Sequence, residues 1–170
     1  LSISCPQTLL VLRAHDMYLN GEPLDAVADW VLKNRLRAQA WFTVDDLVYL
    51  RRGGRVSATS AIFGSMLDIK PILTMTKVGK LEAVGKVQGR KKALRALVDH
   101  VAENIENPEA QEVIILHGDA EEDAQTLQTL LEQRIPAITR VHLQMIGTVI
   151  GAHCGPGTLA CCFMGKERPN

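Results

Sequence analysis

The stretch VIGAHCGPGT, residues 149–158, sets a histidine and a cysteine side by side and follows them with Gly-Pro-Gly. Four chemistries are open to the pair. His153 can act as a general base, and Cys154 as a nucleophile. Both can ligate a metal. His153 can also donate a hydrogen bond to the head of a ligand from either protonation state. Gly151 and Gly155 flank the pair, and Pro156 and Gly157 complete the motif, so the backbone can approach a small ligand closely. The bland alternative is a histidine satisfied by a core carbonyl.

Other residues narrow the choice. A catalytic Cys–His pair needs mutual reach and an orienting third group, which immediate sequence neighbours seldom provide. A small buried thiol is therefore the simpler reading of Cys154. A thiol hydrolase using Cys154 and His153 stays open as an alternative, as does a non-catalytic interaction domain. His142, His153, Cys154 and Cys161 do not have the spacing of common metal-ligand pairs, so no metal is expected. Gly53-Gly54-Arg55 matches neither phosphate-loop pattern and reads as a helix break, with Arg55 available to contact a partner or order a hinge. SAIFGSMLDI, residues 60–69, mixes small and large apolar side chains. It reads either as plain core or as the wall of an acyl cavity formed by Ile62, Met66, Leu67 and Ile69. Arg90, Lys91 and Lys92 form a basic cluster at a helix start, where they oppose the dipole. They read as a solvated face or as a docking site for an acidic partner.

Composition excludes several classes. The 170 residues are 46% hydrophobic and 22% charged, as in an ordinary globular protein. Nineteen basic residues balance nineteen acidic ones, so no overall field draws the chain to nucleic acid or an anionic membrane. Aromatics are only 4%, which leaves few platforms for stacking bases. No apolar run approaches the ~18 residues of a membrane span, so no stable membrane insertion is expected. The cysteines at 5, 154, 161 and 162 lack disulfide-like spacing and a secretion signal, which suits reduced thiols in a cytoplasm.

The elements that must position these residues alternate. A helix starting at Ser4-Cys5-Pro6 runs to Asn20-Gly21, apolar almost all round and hence expected to be deeply buried. A second opens at Pro23 with Leu24, Val27, Ala28 and Val31 on one face. AWFTV reads as a strand, LVYLRR as a short helix capped by Asp45 or Asp46, and SATSAIFGSML as a further helical segment. IKPILTMT and KLEAVGKV form a hairpin, with Pro71 demanding an edge or a bulge. Residues 90–105 form a helix with Leu94, Leu97, Val98, Val101 and Ile105 on one face. A buried strand, EVIILHG, precedes an acid-started helix. The strand RVHLQMI has Val141, Leu143 and Met145 on its inner face, and TLACCFM is the last strand, with Cys161 and Cys162 facing opposite ways. Residues 149–158 read as a loop between these two strands. The class is α/β or α+β, with a mixed, partly antiparallel sheet and helices packed on it.

Three stretches together carry a resemblance: FTVDDLVYLRRGGRVS, GSMLDIKPIL with GKLEAVGKVQGRKKAL, and IGTVIGAHCGPGTL. In order and spacing they resemble the DegV family of bacterial fatty-acid-binding proteins. The resemblance implies the C-terminal portion of a two-domain protein. Residues 1–38 would belong with an N-terminal Rossmann-like domain, and residues 39–170 would form the DegV-like α/β domain. It implies a long-chain fatty acid held between the domains, with no other cofactor. The bound carboxylate would be presented to a separate fatty acid kinase with a dihydroxyacetone-kinase-like domain, so this chain would not be the enzyme. His153 matches the family histidine that helps hold the carboxylate, and Arg55 matches a family arginine. Two positions depart from the family pattern. Cys5-Pro6-Gln7-Thr8 replaces a glycine-containing stretch, and Gln88 stands where an arginine is common.

Overall fold

The computed structural model of the protein describes residues 2–55 and 68–170. Helices α1 (Ser4–Leu19) and α2 (Leu24–Asn34) precede strand β1 (Ala38–Thr43) and the short helix α3 (Val48–Arg52). Strands β2 (Ile69–Met75) and β3 (Leu81–Gln88) form a hairpin, followed by α4 (Arg90–Asn104). Then come β4 (Val113–His117), α5 (Glu121–Arg134), β5 (Val141–Met145), α6 (Thr148–Cys154) and β6 (Leu159–Met164).

The six strands make one mixed sheet in the order β3-β2-β1-β6-β4-β5. β6 lies inside it, antiparallel to β1 through Ala40↔Cys162 and Phe42↔Ala160, and antiparallel to β4 through Leu116↔Ala160. Helices cover both faces of β6, which is why its sequence is almost continuously apolar. Among the described strands, only β4 and β5 pair in parallel, joined by the α5 crossover.

The two faces are packed differently. On one, Trp41, Ile115, Leu159, Cys161 and Phe163 meet Leu94, Leu97 and Val101 of α4 and Leu127 and Leu131 of α5. The helical stripe expected along α4 is this contact. On the other, Phe42, Leu116, Ala160 and Cys162 share a cluster with Cys5 and Leu9 of α1, Leu50 of α3 and Cys154 of α6. Both adjacent cysteines are therefore buried, one under each helical layer, rather than one inward and one outward.

Several expectations are corrected. α1 is not deeply buried: Val11, Tyr18 and Leu19 are 58%, 72% and 66% exposed, and its buried residues, Cys5, Pro6, Leu9 and Leu10, all lie in its first turns. In the stripe of α2, Leu24 and Ala28 are exposed while Val27 and Val31 are half-buried. β2 is an interior strand. Pro71 is accommodated because pairing with β1 starts later, at Leu73, just after a register shift at Ile72/Leu73. The bulge was thus the right alternative, and the edge was not. Met145 ends an edge strand and is exposed. Residues 148–154 are helical rather than loop. The helical segment expected at residues 57–67 lies outside the described residues.

Two polar groups lock the layers. Arg168 is 1% exposed, and its Nε donates to the Ala38 carbonyl at 2.8 Å, tying the chain end to β1. Burial pushes its pKa down, against the opposing influence of Cys162. On the α4 side, the His100 ring stacks on Trp41 at 4.1 Å between centroids and 10° between planes.

Burial also lowers the His100 pKa below 6.5, with Glu103 and Asp99 pulling the other way. The unfolded chain then binds the proton more tightly than the fold does, so stability is present above the unfolded pKa and falls as the pH drops below it. The urea midpoint should fall between about pH 7.5 and about pH 5, and His100→Phe, which keeps the stacked ring, should flatten that part of the profile.

Candidate functional site

α6 starts after Gly147 and stops at Gly155, whose φ of +79° ends the helix. Gly157 also has a positive φ, +77°, and its N–H donates to the Gly118 carbonyl at 2.7 Å. Thr158 braces the turn by donating its hydroxyl to the Gly155 carbonyl at 2.8 Å. The turn has no room for a side chain at its two glycines. A Cβ at Gly155 would overlap the Tyr49 ring, and one at Gly157 would overlap the Asp45 carboxylate. These two glycines therefore make space for protein groups rather than for a ligand. Gly151 lies within α6, and Pro156 is exposed on the turn.

His153 stands in the last turn of α6. Its ring lies against Gly53, where a Cβ would overlap Nδ1. Gly53 ends α3, whose start is fixed by Asp46 accepting the Val48 N–H at 2.8 Å. Arg55 follows and folds back, donating from NH1 to the Gly53 carbonyl at 2.8 Å. The His153 ring and the Arg55 guanidinium thus both contact Gly53. Both side chains belong to the lining of a cavity of about 290 Å3 on the α6 face of the sheet.

The floor of that cavity is the sheet. Ala40, Ala160 and Cys162 are small neighbours on β1 and β6, bordered by the larger Phe42, Met75 and Leu116. Ile146, Val149 and Ile150 of the α6 segment and Ile3, Ser4 and Pro6 at the start of α1 form its sides. Among the described lining residues, Arg55 and His153 alone can carry positive charge, and none is acidic. Such a lining suits a long apolar molecule with one anionic end.

Of the wall expected at Ile62, Met66, Leu67 and Ile69, the first three lie outside the described residues. Ile69 opens β2, half-buried, and is not among the described residues lining the cavity. The floor residues Ala40, Ala160 and Cys162 escaped the sequence reading. Each looks like ordinary strand core, and only the pairing of β1 with β6 brings the small ones together. Position 88, Gln in place of Arg, closes β3 opposite Ile69. Cys5 and Pro6 open α1, where Cys5 is buried and Pro6 joins the cavity side.

The basic cluster at α4 is split. Lys91 and Lys92 are exposed. Arg90 is only 19% exposed and pairs through Nε with Asp123 at 2.8 Å and through NH1 with Asp45 at 3.3 Å.

The geometry disfavours thiol chemistry. Cys154 is buried, and burial pushes its thiol pKa up, away from a reactive thiolate. His153 precedes it on a helix, where successive side chains point about 100° apart. Cys154 and Cys161 belong to clusters on opposite faces of the sheet, and His142 pairs with Glu112 at 3.0 Å. No group of three His, Cys, Asp or Glu gathers as metal ligands among the described residues, and no helix there is long and apolar enough to cross a membrane.

Comparison with known proteins accords with this geometry. A family model described as "Uncharacterised protein, DegV family" matches residues 1–166. A DegV domain-containing protein of Clostridium perfringens is 42% identical over 162 residues, 95% of this chain and 55% of that protein. The solved structure of a fatty acid binding DegV family protein from Streptococcus agalactiae is 31% identical with a TM-score of 0.81, covering 95% of this chain and 56% of that one. A fatty-acid-binding DegV family protein from Thermus thermophilus is 28% identical with a TM-score of 0.80, covering 96% of this chain and 58% of that one. The chain spans about half the length of the curated relatives it matches. On the strength of the matching family model and these relatives, the chain belongs to the DegV family.

Proposed function

We propose that this chain forms the sheet side of a fatty-acid carrier. One observation carries the reading: an apolar cavity whose only basic lining residues among those described, His153 and Arg55, both contact one glycine. A fatty acid has the matching chemistry. Each buried methylene contributes about 0.8 kcal/mol, so a long tail offers ample gross driving force against the cost of ordering it. His153 and Arg55 hold the carboxylate, and Ala40, Ala160 and Cys162 form the floor beneath part of the tail. The wall at Ile62, Met66 and Leu67 belongs to the same proposal.

The chain itself is then a binding subunit. Reaction of the carboxylate falls to a partner fatty acid kinase with a dihydroxyacetone-kinase-like domain, in the bacterial cytoplasm. Lys91 and Lys92 are the docking charges of this reading, while Arg90 is committed to its carboxylates. Residues 1–38 belong with the neighbouring domain and lend Cys5, Leu9 and Pro6 to this face of the sheet. The family relationship supports the fatty acid, and the exposed lysine pair supports the docking surface.

Three outcomes follow in the full-length protein. His153→Ala should weaken fatty-acid binding by about tenfold to a hundredfold, the worth of a hydrogen bond to a charged group, while the protein still folds. Equal affinity in calorimetric titrations would remove His153 from the head-group site. Ala160→Phe should shift the preferred ligand to shorter chains, at a cost of about fourfold in affinity per excluded methylene; an unchanged chain-length profile would move the tail off this floor. The double variant Lys91→Glu/Lys92→Glu should slow phosphoryl transfer by the kinase while retaining bound fatty acid, and an unchanged rate would place the docking surface elsewhere.

A further inference from the structure

Asp45 does not line the cavity, yet the segments that frame His153 converge on it. Its Oδ1 lies 3.0 Å from Lys70 Nζ and 3.3 Å from Arg90 NH1. Those cations are only 14% and 19% exposed, so Asp45 is the carboxylate shared by two charges largely withdrawn from water. Lys70 has a second, longer contact with Asp68 at 3.7 Å, and Arg90 is held from its other side by Asp123 at 2.8 Å. The other oxygen, Oδ2, lies over Gly157, where any Cβ would overlap it.

Asp45 is thus clamped between strand β2 and helix α4 on one side and the Gly-Pro-Gly turn on the other. The next residue, Asp46, fixes the start of α3. α3 sends the Tyr49 ring onto Gly155 of the same turn and ends at Gly53, against His153. The turn and α3 are therefore fastened to each other at both ends, with Asp45 at one and the Gly53–His153 contact at the other. Ion pairs between half-exposed groups contribute little stability singly. The consequence of this arrangement is geometric: it fixes where the end of α6 and the end of α3 meet.

We propose that Asp45 is a positioning residue for the head-group site. It holds the Gly155–Gly157 turn and the start of α3 in register, so that His153 and Arg55 converge on one end of the cavity. The proposal rests on the reading that these two side chains hold a ligand carboxylate. Neutralising Asp45 leaves Lys70 with Asp68 and Arg90 with Asp123, and removes the charge that draws Asp45 and the turn packed on it toward β2 and α4. The apolar floor, built on the β1–β6 ladder, stays in place. The loss should therefore fall on the ligand's head and spare its tail.

The test measures, in the full-length protein, the affinity for a long-chain fatty acid and for the fatty alcohol of the same length. The alcohol keeps the tail and lacks the negative charge. The wild type should prefer the acid, and His153→Ala should lose much of that preference. Asp45→Asn should weaken acid binding by about tenfold, the loss expected when one charged hydrogen bond is misaligned, and leave alcohol binding within about twofold. Lys70→Met, which removes one of the cations that anchor Asp45, should move the preference in the same direction by less, and it serves alone if Asp45→Asn does not fold. An unchanged acid-over-alcohol ratio in Asp45→Asn, or in Lys70→Met as the sole folded variant, overturns the positioning role, as does equal weakening of both ligands. A wild type without preference overturns the head-group reading and the positioning role together. Preference lost in His153→Ala but kept in Asp45→Asn overturns the positioning role alone.

Discussion

The site depends on a turn with no room for a side chain at its two glycines. Gly155 and Gly157 take positive φ angles, and the Tyr49 ring and the Asp45 carboxylate occupy the space where their Cβ atoms would be. An L-residue there would meet backbone strain and overlap at once. Because the turn closes around α3 in this way, the end of α6 is brought against Gly53, and His153 acquires a defined position. The motif that first drew notice for its histidine and cysteine is thus largely a packing device, and His153 is the one basic residue it contributes to the cavity lining. Cys154 is drawn into the core by the same closure.

The sheet gives the cavity its character through an asymmetry between its faces. Under α4 and α5 the strands present large buried side chains, Trp41, Leu159 and Phe163. On the other face the neighbouring positions of β1 and β6 carry Ala40, Ala160 and Cys162. The small side chains leave a space of about 290 Å3 above this part of the sheet, lined mainly by apolar residues. Exposed Ile3 and Val149 beside it extend the apolar surface outward.

Much of the fold was legible because its signals are local. The stripe of α4, the hairpin of β2 and β3, the buried strand β4 and the acid-started α5 each follow from local patterning. α6 was missed because Thr-Val-Ile-Gly-Ala-His-Cys combines β-branched residues with glycine, and its helix is held by tertiary contacts instead. The exposure of α1 was missed because an all-round apolar pattern says nothing about how many sides are covered. His153 and Arg55 were visible as separate motifs. Their meeting at Gly53 was not, since it depends on the contact of α3 with α6. The two roles of the basic cluster were equally hidden: Arg90 looks like its neighbours in sequence, and only the approach of Asp45 and Asp123 separates it from Lys91 and Lys92.

The central claim is that the cavity floored by Ala40, Ala160 and Cys162 holds the tail of a fatty acid whose carboxylate meets His153 and Arg55. The most direct measurement is mass spectrometry of the full-length protein, first native and then denatured, with identification of whatever small molecule is released. The account requires a mass increment that disappears on denaturation and is recovered as a long-chain fatty acid in near-stoichiometric amount. Repeated preparations that release no lipid, and bind none when fatty acid is added, would contradict it.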